Sequence, residues 1–403
     1  MPESPTATRA HDVIVVGGGP AGLYAAHLLA RNGYDVALFE EHERPGEPVH
    51  CTGVLAAEAY DELDIPREAI LNTLSCVKFF APSGEIVSYT TPELEALVID
   101  RRVFDDHLHT RAAAAGVTIA TGVRAIDIAL GQKEVTVTFA DGSAVRGRAC
   151  ILACGANYSF QRRLGLGMPA AYLQSAQVEW PATTFEDVEV HFGHAVAPRG
   201  FAWAVPVRRG TSCFARIGLM CDENSARHFR YFVEQIGERL GIDVHAGLPS
   251  EPRQKMLPLA PIPRTYANRL LAVGDAAGLV KATTGGGIYY SLLSAGLAAE
   301  IMIDGLSNDT LDEMHLSRYQ RAWQKRLGPE LDAQLSLRLL ADCLSDEEID
   351  TLFELARTDG VMPIVRRTAK FNRHRDLILS LFKHPPVRRI LFARLTGRSV
   401  AAL

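Results

Sequence analysis

The run Gly17-Gly18-Gly19-Pro20-Ala21-Gly22 follows directly on the apolar stretch His11-Asp-Val-Ile-Val-Val. A short β-branched run of this kind predicts a strand buried in a parallel sheet. Glycines at the first, third and sixth positions suit a strand-to-helix turn that cradles a dinucleotide pyrophosphate. Gly17 permits the tight turn, Gly19 lets the backbone approach the phosphates, and Gly22 lets the helix pack on the strand. Pro20 sits in the first helical turn, where its missing N–H costs nothing, and Ala21 follows it. The helix is expected over residues 21–32, stopped by Gly33. Free N–H groups and the helix dipole at its start favour the anion. Asp35-Val-Ala-Leu-Phe predicts a second strand. Glu40 ends it, with Glu41 beside it, placed for ribose hydroxyls and hostile to a 2′-phosphate.

A second signature comes about 230 residues later. Asn268-Arg-Leu-Leu-Ala-Val predicts another buried strand, followed by Gly274, Asp275 and a small-residue turn. Asp275 can accept from a ribityl hydroxyl; an ordinary helix cap is the plainer reading. Gly285, Gly286 and Gly287 precede an apolar helix opening at Ile288. Three glycines there let the chain lie against a flat ring and aim N–H donors at its carbonyl edge. The two signatures together imply FAD.

The chain has 403 residues, 47 % of them hydrophobic and 22 % charged, which predicts a globular protein of two or three units. A net charge of −5 gives no case for nucleic acid. Seven cysteines without paired Cys-x-x-Cys spacing argue for reduced thiols and against a metal site. Cys150 and Cys154 read as packing residues. Residues 1–10 read as a disordered tail without a secretion signal. No apolar run reaches the ~18 residues of a spanning helix. The expectation is a cytoplasmic protein, free or peripheral on a membrane.

Residues 41–53 form a loop rich in proline and glycine. A hairpin is expected over 74–90 and a helix from Asp100 to about Ala115. Short strands follow near 117–128, 133–139 and 144–147, then a separate strand over Ala149–Ala153. Residues 172–222 alternate as an antiparallel sheet, and Ser225–Leu240 reads as a helix. From Leu311 the pattern is helical, with a capping box at Ser345-Asp-Glu-Glu348. The fold class is therefore α/β: a Rossmann-type FAD-binding domain with an inserted antiparallel β-sheet substrate domain and a helical C-terminal region. The FAD-binding domain takes 11–73, 98–165 and 258–310. The substrate domain takes 74–97 and 166–257, and the helical region 311–403. The cleft between the first two is the expected active site.

Three segments carry a resemblance: Gly46-Glu-Pro-Val-His-Cys51-Thr-Gly53, Gly200-Phe-Ala-Trp203-Ala-Val-Pro206, and Gly274 through Ile288-Tyr-Tyr. With them, residues 11 to about 305 resemble the geranylgeranyl reductase family of FAD-dependent oxidoreductases, within the p-hydroxybenzoate hydroxylase-like group. The resemblance implies that the Cys51 loop lies by the flavin, that Arg101 contacts FAD, and that Phe201, Trp203 and Pro206 line a prenyl pocket with His50 nearby. The chain departs from the family's pattern at Phe201, Gly218 and Ala282.

The implied reaction saturates carbon–carbon double bonds of a polyprenyl lipid by hydride transfer from reduced flavin in an apolar tunnel. An alkene carries no charge, so binding rests on burial, ~0.8 kcal/mol per CH2. Cys51 is the candidate proton donor, or a packing residue. Phe201 and Trp203 share one strand face, which either lines the tunnel or belongs to the sheet core. Two other functions stay open: an aromatic monooxygenase or halogenase on the same scaffold, and a non-catalytic lipid-binding flavoprotein. Against the hydroxylase, Cys154-Gly155 stands where that group carries Asp-Gly. An external electron donor is expected: NADPH, ferredoxin or a reductase. Residues 366–398 hold ten Lys or Arg and one acid, Asp376, interleaved with apolar residues. They are either a membrane-surface contact or helices packed on the body with a solvated basic face.

Overall fold

The computed structural model describes residues 10–183, 185–242, 251–358 and 360–393. The tail expected at the N-terminus therefore lies outside the described residues, except for Ala10. The predicted first strand, His11–Val16, is the centre of an eight-stranded sheet. It pairs in parallel with Val36–Phe39 on one side and Ala144–Leu152 on the other. Thr118–Ala120 and Leu270–Ala272 extend the parallel core outward on either side. Val13, Ile14 and Val15 are wholly buried, as a strand covered on both faces must be.

The strands expected near 144–147 and over 149–153 are one nine-residue strand, Ala144–Leu152. Its first half pairs antiparallel with Val135–Phe139, and its second half pairs in parallel with His11–Val16. Arg146-Gly147-Arg148 looks like a turn in sequence because the first half is solvated on one face. Gly147 is needed there for a different reason: a Cβ would come 2.9 Å from Ile14 Cγ1.

Helix Pro20–Arg31 packs between helices Arg101–Ala114 and Ile288–Ser307. Asp100 caps the second of these by accepting from the Arg102 N–H.

A seven-stranded sheet forms the other half. Its order is Arg253–Pro258, Tyr172–Pro181, Ser212–Cys221, Phe201–Arg209, Val188–His191, Cys76–Phe80, Ile86–Thr90. All neighbours are antiparallel except Val188–His191 with Cys76–Phe80, which run parallel. Helix Ser225–Ile236 covers one face and ends earlier than its pattern predicts, with Gly237 as its C-cap. Phe229 and Phe232 are fully buried there against Ala202, Ala204, Ile217 and Leu219, each contributing ~1.5–3 kcal/mol. The alternate residues Phe201 and Trp203 are left to the opposite face. A small third sheet, Val54–Ala56, Ala96–Ile99 and Ile70–Leu74, has no clear trace in the sequence pattern.

Helix Glu313–Ala341 docks on the first sheet, where Tyr319 Oη donates to Ala272 O at 3.0 Å and Trp323 Nε1 to Thr265 Oγ1 at 2.9 Å. Four shorter helices follow: Asp346–Thr358, Val361–Thr368, Arg375–Lys383 and Pro385–Ala393. The capping box forms: Ser345 N donates to Glu348 Oε2 at 2.8 Å, and Glu348 N to Ser345 Oγ. The apolar residues Leu381, Phe382, Val387, Ile390 and Leu391 pack inward against Leu344 and Leu352. Residues 394–398 of the basic stretch lie outside the described residues.

Candidate functional site

A cavity of about 1130 Å3 lies where the two large sheets meet, above the ~300–1,000 Å3 typical of a site for one small ligand. Three walls surround it.

The first wall is the glycine turn. Gly17 has φ +111°, and a Cβ there would lie 2.3 Å from Ala153 O, so only glycine fits. Gly22 packs against Gly17 O and does not reach the cavity. Gly19 caps the helix without a side-chain partner, and nothing stands within 4 Å of where its Cβ would be. Space in front of an uncapped helix start fits a pyrophosphate. Pro20, Ala21, Glu40 and Glu41 line the same wall. Glu40 braces the turn by accepting from Gly18 N at 2.6 Å and His42 N at 2.9 Å.

The second wall is the later motif. Gly274 begins a 3-10 turn at φ +60° and donates to Ser294 Oγ; it shapes the turn and, contrary to the sequence expectation of a contact residue, does not line the cavity. Asp275 does line it and accepts from Lys255 Nζ at 3.1 Å. Gly285, Gly286, Gly287 and Ile288 line it together, and Gly287 starts the next helix with no side-chain cap. Thr283 Oγ1 donates to His374 Nδ1 at 2.7 Å, while His374 Nε2 donates to Phe371 O. Burial, then the nearby Lys281 ammonium, pushes the His374 imidazole down to about 4, so it is neutral.

The third wall is the loop of residues 46–53 with Arg101. Arg101 bonds Asp105 through Nε at 3.1 Å and Nη2 at 2.7 Å. Burial opposes its charge, but the Asp105 carboxylate outweighs that and holds the guanidinium above its ordinary range. Cys51 Sγ accepts from Gly53 N at 3.3 Å and faces the cavity. Burial, then Lys255, Arg253, His42 and Arg101, drives His50 down to about 4. Its Nδ1 is buried without a partner.

Arg216 holds this loop in place, and the sequence reading missed it. It is 3 % exposed, and its Nη1 donates to Thr52 O at 2.7 Å and Ile99 O at 2.9 Å. Its Nε donates to Glu179 at 2.7 Å. The available signal was a lone arginine in the apolar run Ser212–Cys221.

Away from the glycine walls the cavity turns apolar. Phe192, Phe201, Trp203 and Val205 line one side, and Leu352 and Phe353 close it from the C-terminal helices. Rings run in sequence from Trp203 to Phe201 (5.7 Å), Phe192 (6.2 Å) and Phe353 (6.0 Å). Pro206 is not part of this face. It lies an odd number of residues from Trp203, so strand alternation turns it away, and Val205 takes the place expected for it. Gly218 stands opposite Trp203 in register, and a Cβ there would meet the indole at 2.5 Å. The glycine that is out of place in sequence is thus in place across the ladder.

The fold and this cradle are those of an FAD-binding flavoprotein. A family model described as lycopene cyclase protein matches residues 12–358. A digeranylgeranylglycerophospholipid reductase of Methanocaldococcus jannaschii is 30 % identical over 355 residues, covering 85 % of this chain and 90 % of that protein. A digeranylgeranylglycerophospholipid reductase of Methanothermobacter thermautotrophicus is 31 % identical over 363 residues, with the same coverage. Among solved structures, a geranylgeranyl bacteriochlorophyll reductase-like protein of Thermoplasma acidophilum superposes with TM-score 0.80 at 22 % identity, covering 96 % of this chain and 99 % of that one. A halogenase in complex with FAD shares the fold at TM-score 0.68 and 15 % identity, covering 98 % and 94 %. The chain belongs to the geranylgeranyl reductase family of FAD-dependent flavoproteins.

Proposed function

We propose that this enzyme saturates carbon–carbon double bonds in the prenyl chains of a lipid, as the names of its reductase relatives indicate for them. One observation carries the reading: the polar cradle for the cofactor opens without a dividing wall into the apolar space bounded by Phe192, Phe201, Trp203, Leu352 and Phe353. An isoprenoid has little to offer but apolar surface, and ~0.8 kcal/mol per buried CH2 holds it there.

Each part of the chain then has a task. Residues 11–73, 98–165 and 258–310 hold FAD through Gly17, Gly19, Pro20, Ala21, Glu40, Glu41, Arg101, Asp275 and Gly285–Ile288. Residues 74–97 and 166–257 hold the lipid, and the C-terminal helices roof it. FAD held by these residues would, when reduced, supply the hydride. Phe201 and Trp203 press the alkene into position and keep water out. Cys51 holds the proton for the second carbon at Sγ. His50 is neutral at ordinary pH, so no imidazolium competes for that role. Electrons arrive from an external donor. The exposed basic residues Arg366 and Arg367 offer charge for an anionic membrane surface.

The test is anaerobic. The purified yellow protein is reduced chemically and offered geranylgeranyl-bearing phospholipid. The expected product gains two hydrogens per double bond, read by mass spectrometry. A reduced protein that leaves the lipid mass unchanged, yet makes a hydroxylated or halogenated aromatic once oxygen is admitted, overturns the reading.

A further inference from the structure

Lys281 lies inside the second glycine motif and was not among the residues its pattern singled out. Its side chain is 3 % exposed and borders the cofactor cavity. Lys281 Nζ donates to Phe371 O and to Asn372 Oδ1, each at 3.1 Å, and stands 4.3 Å from the centre of the Phe371 ring. Among the described residues no carboxylate lies within ion-pair distance of it. Glu330 is committed elsewhere, accepting from His374 N at 2.8 Å and Arg375 N at 3.0 Å. Glu58 makes its contact with Arg373. A buried cation without a touching carboxylate is expensive unless an anion arrives beside it.

The loop in front shows where that anion belongs. Lys281 N donates to Gly286 O, and a Cβ on Gly286 would lie 2.9 Å from Lys281 Cε and 3.4 Å from Nζ. The ammonium therefore sits directly behind the glycine loop that lines the cavity. The uncapped start of helix Ile288–Ser307 points the same way.

We infer that Lys281 fixes the negative charge of the reduced cofactor, its ammonium standing behind Gly286 as the counter-charge to the flavin's pyrimidine edge. This rests on the placement of FAD given above. Lys281 is a positioning residue that acts by charge through the loop. Its two acceptors come from residues 371 and 372, so the C-terminal region takes part in setting the cofactor's potential. Burial pushes the Lys281 ammonium down to about 7, against the pull of the more distant Glu58 and Glu330 carboxylates.

The experiment uses full-length holoprotein and sulfite as the probe. Sulfite adds to oxidised flavin and leaves negative charge on the pyrimidine edge, so its affinity reads the local positive charge without turnover. Lys281→Met should weaken sulfite binding at least tenfold and lower the midpoint potential by about 30 mV or more, the equivalent of tenfold for a two-electron couple. Lys281→Arg should restore both to within threefold. Asn372→Asp keeps the lysine but sets a carboxylate on it, and should reproduce the loss in sulfite affinity. Should Lys281→Met not retain flavin, Asn372→Asp alone decides. Wild-type sulfite affinity and potential in the flavin-loaded variants overturn the inference. A wild-type protein that never binds flavin overturns the cofactor placement instead, and the missing yellow colour tells the two failures apart.

Discussion

Acid should destabilise this protein through His374, by an amount the structure sets. His374 is buried, with Nδ1 accepting from Thr283 and Nε2 donating to Phe371 O, so both nitrogens are used by the neutral ring. Its folded value is about 4 against an ordinary 6.5. Above the ordinary value neither state is protonated, and the group adds no pH dependence. Between the two values the unfolded chain takes a proton that the folded chain refuses, so stability falls as pH falls. Below the folded value both states are charged and the loss levels off. The full penalty is about 3 kcal/mol, and at about pH 5 it has reached about 2 kcal/mol. His374→Gln keeps a side-chain amide for Thr283 and has nothing to titrate. Urea midpoints for both proteins, measured at about pH 7 and about pH 5, give the difference, because titrations of groups not coupled to His374 cancel. The variant should be less stable than wild type at the higher pH, by roughly 1 kcal/mol for imperfect hydrogen bonding. It should gain about 2 kcal/mol relative to wild type at the lower pH. Parallel pH profiles for the two proteins would refute the reasoning.

Other substitutions separate the walls of the site. Gly19→Val suits the backbone, since φ there is −77°, but fills the open space before the helix; the expected product is folded by circular dichroism and colourless, and a yellow protein at normal occupancy contradicts the placement of the pyrophosphate. Arg216→Met removes a buried guanidinium that holds Thr52 O, Ile99 O and Glu179; a loss of about 3 kcal/mol in chemical unfolding is expected, and a loss under about 1 kcal/mol speaks against its bracing role. Cys51→Ala should leave flavin content unchanged and slow alkene reduction by about 100-fold; turnover within a few-fold of wild type makes the thiol a packing group.

The cofactor half was legible because it is written in backbone requirements. Only glycine tolerates what Gly17 meets at Ala153 O, so the motif and the geometry imply each other. The strand before it was legible too, because Val13, Ile14 and Val15 are wholly buried and the pattern leaves no polar residue among them. The apolar half of the cavity is written in apolar side chains, and these look alike whether they fill a core or line a space. Phe201 and Trp203 could be placed on a common face, yet alternation alone did not say which face the helix Ser225–Ile236 would take. Pro206 was assigned with them from a motif, and the period-two rule already ruled it out. Arg216 left a weak trace, an arginine in an apolar strand, whose meaning depends on Thr52 and Ile99 brought in from a different sheet.

The C-terminal region was the least legible, and its part in the site explains why. Leu352 and Phe353 belong to a helix whose apolar stripe faces both the cavity and the neighbouring helices. Phe353 meets Phe192 edge-on at 6.0 Å, and the same helix anchors to the seven-stranded sheet through Asp350, which accepts from Ser83 N at 3.0 Å. Further on, Phe371 and Asn372 take the bonds of Lys281, and Glu95 accepts from Phe371 N at 2.9 Å. One stretch of chain thus touches the seven-stranded sheet, the glycine loop and the far end of the cavity. Sequence periodicity reports that such helices are amphipathic and nothing more. It cannot separate a stripe that seals a body from one that also roofs a ligand. The cavity's length is set between elements about 150 residues apart, Phe201 on one strand and Phe353 on one helix, so it depends on how the C-terminal helices dock rather than on any local motif.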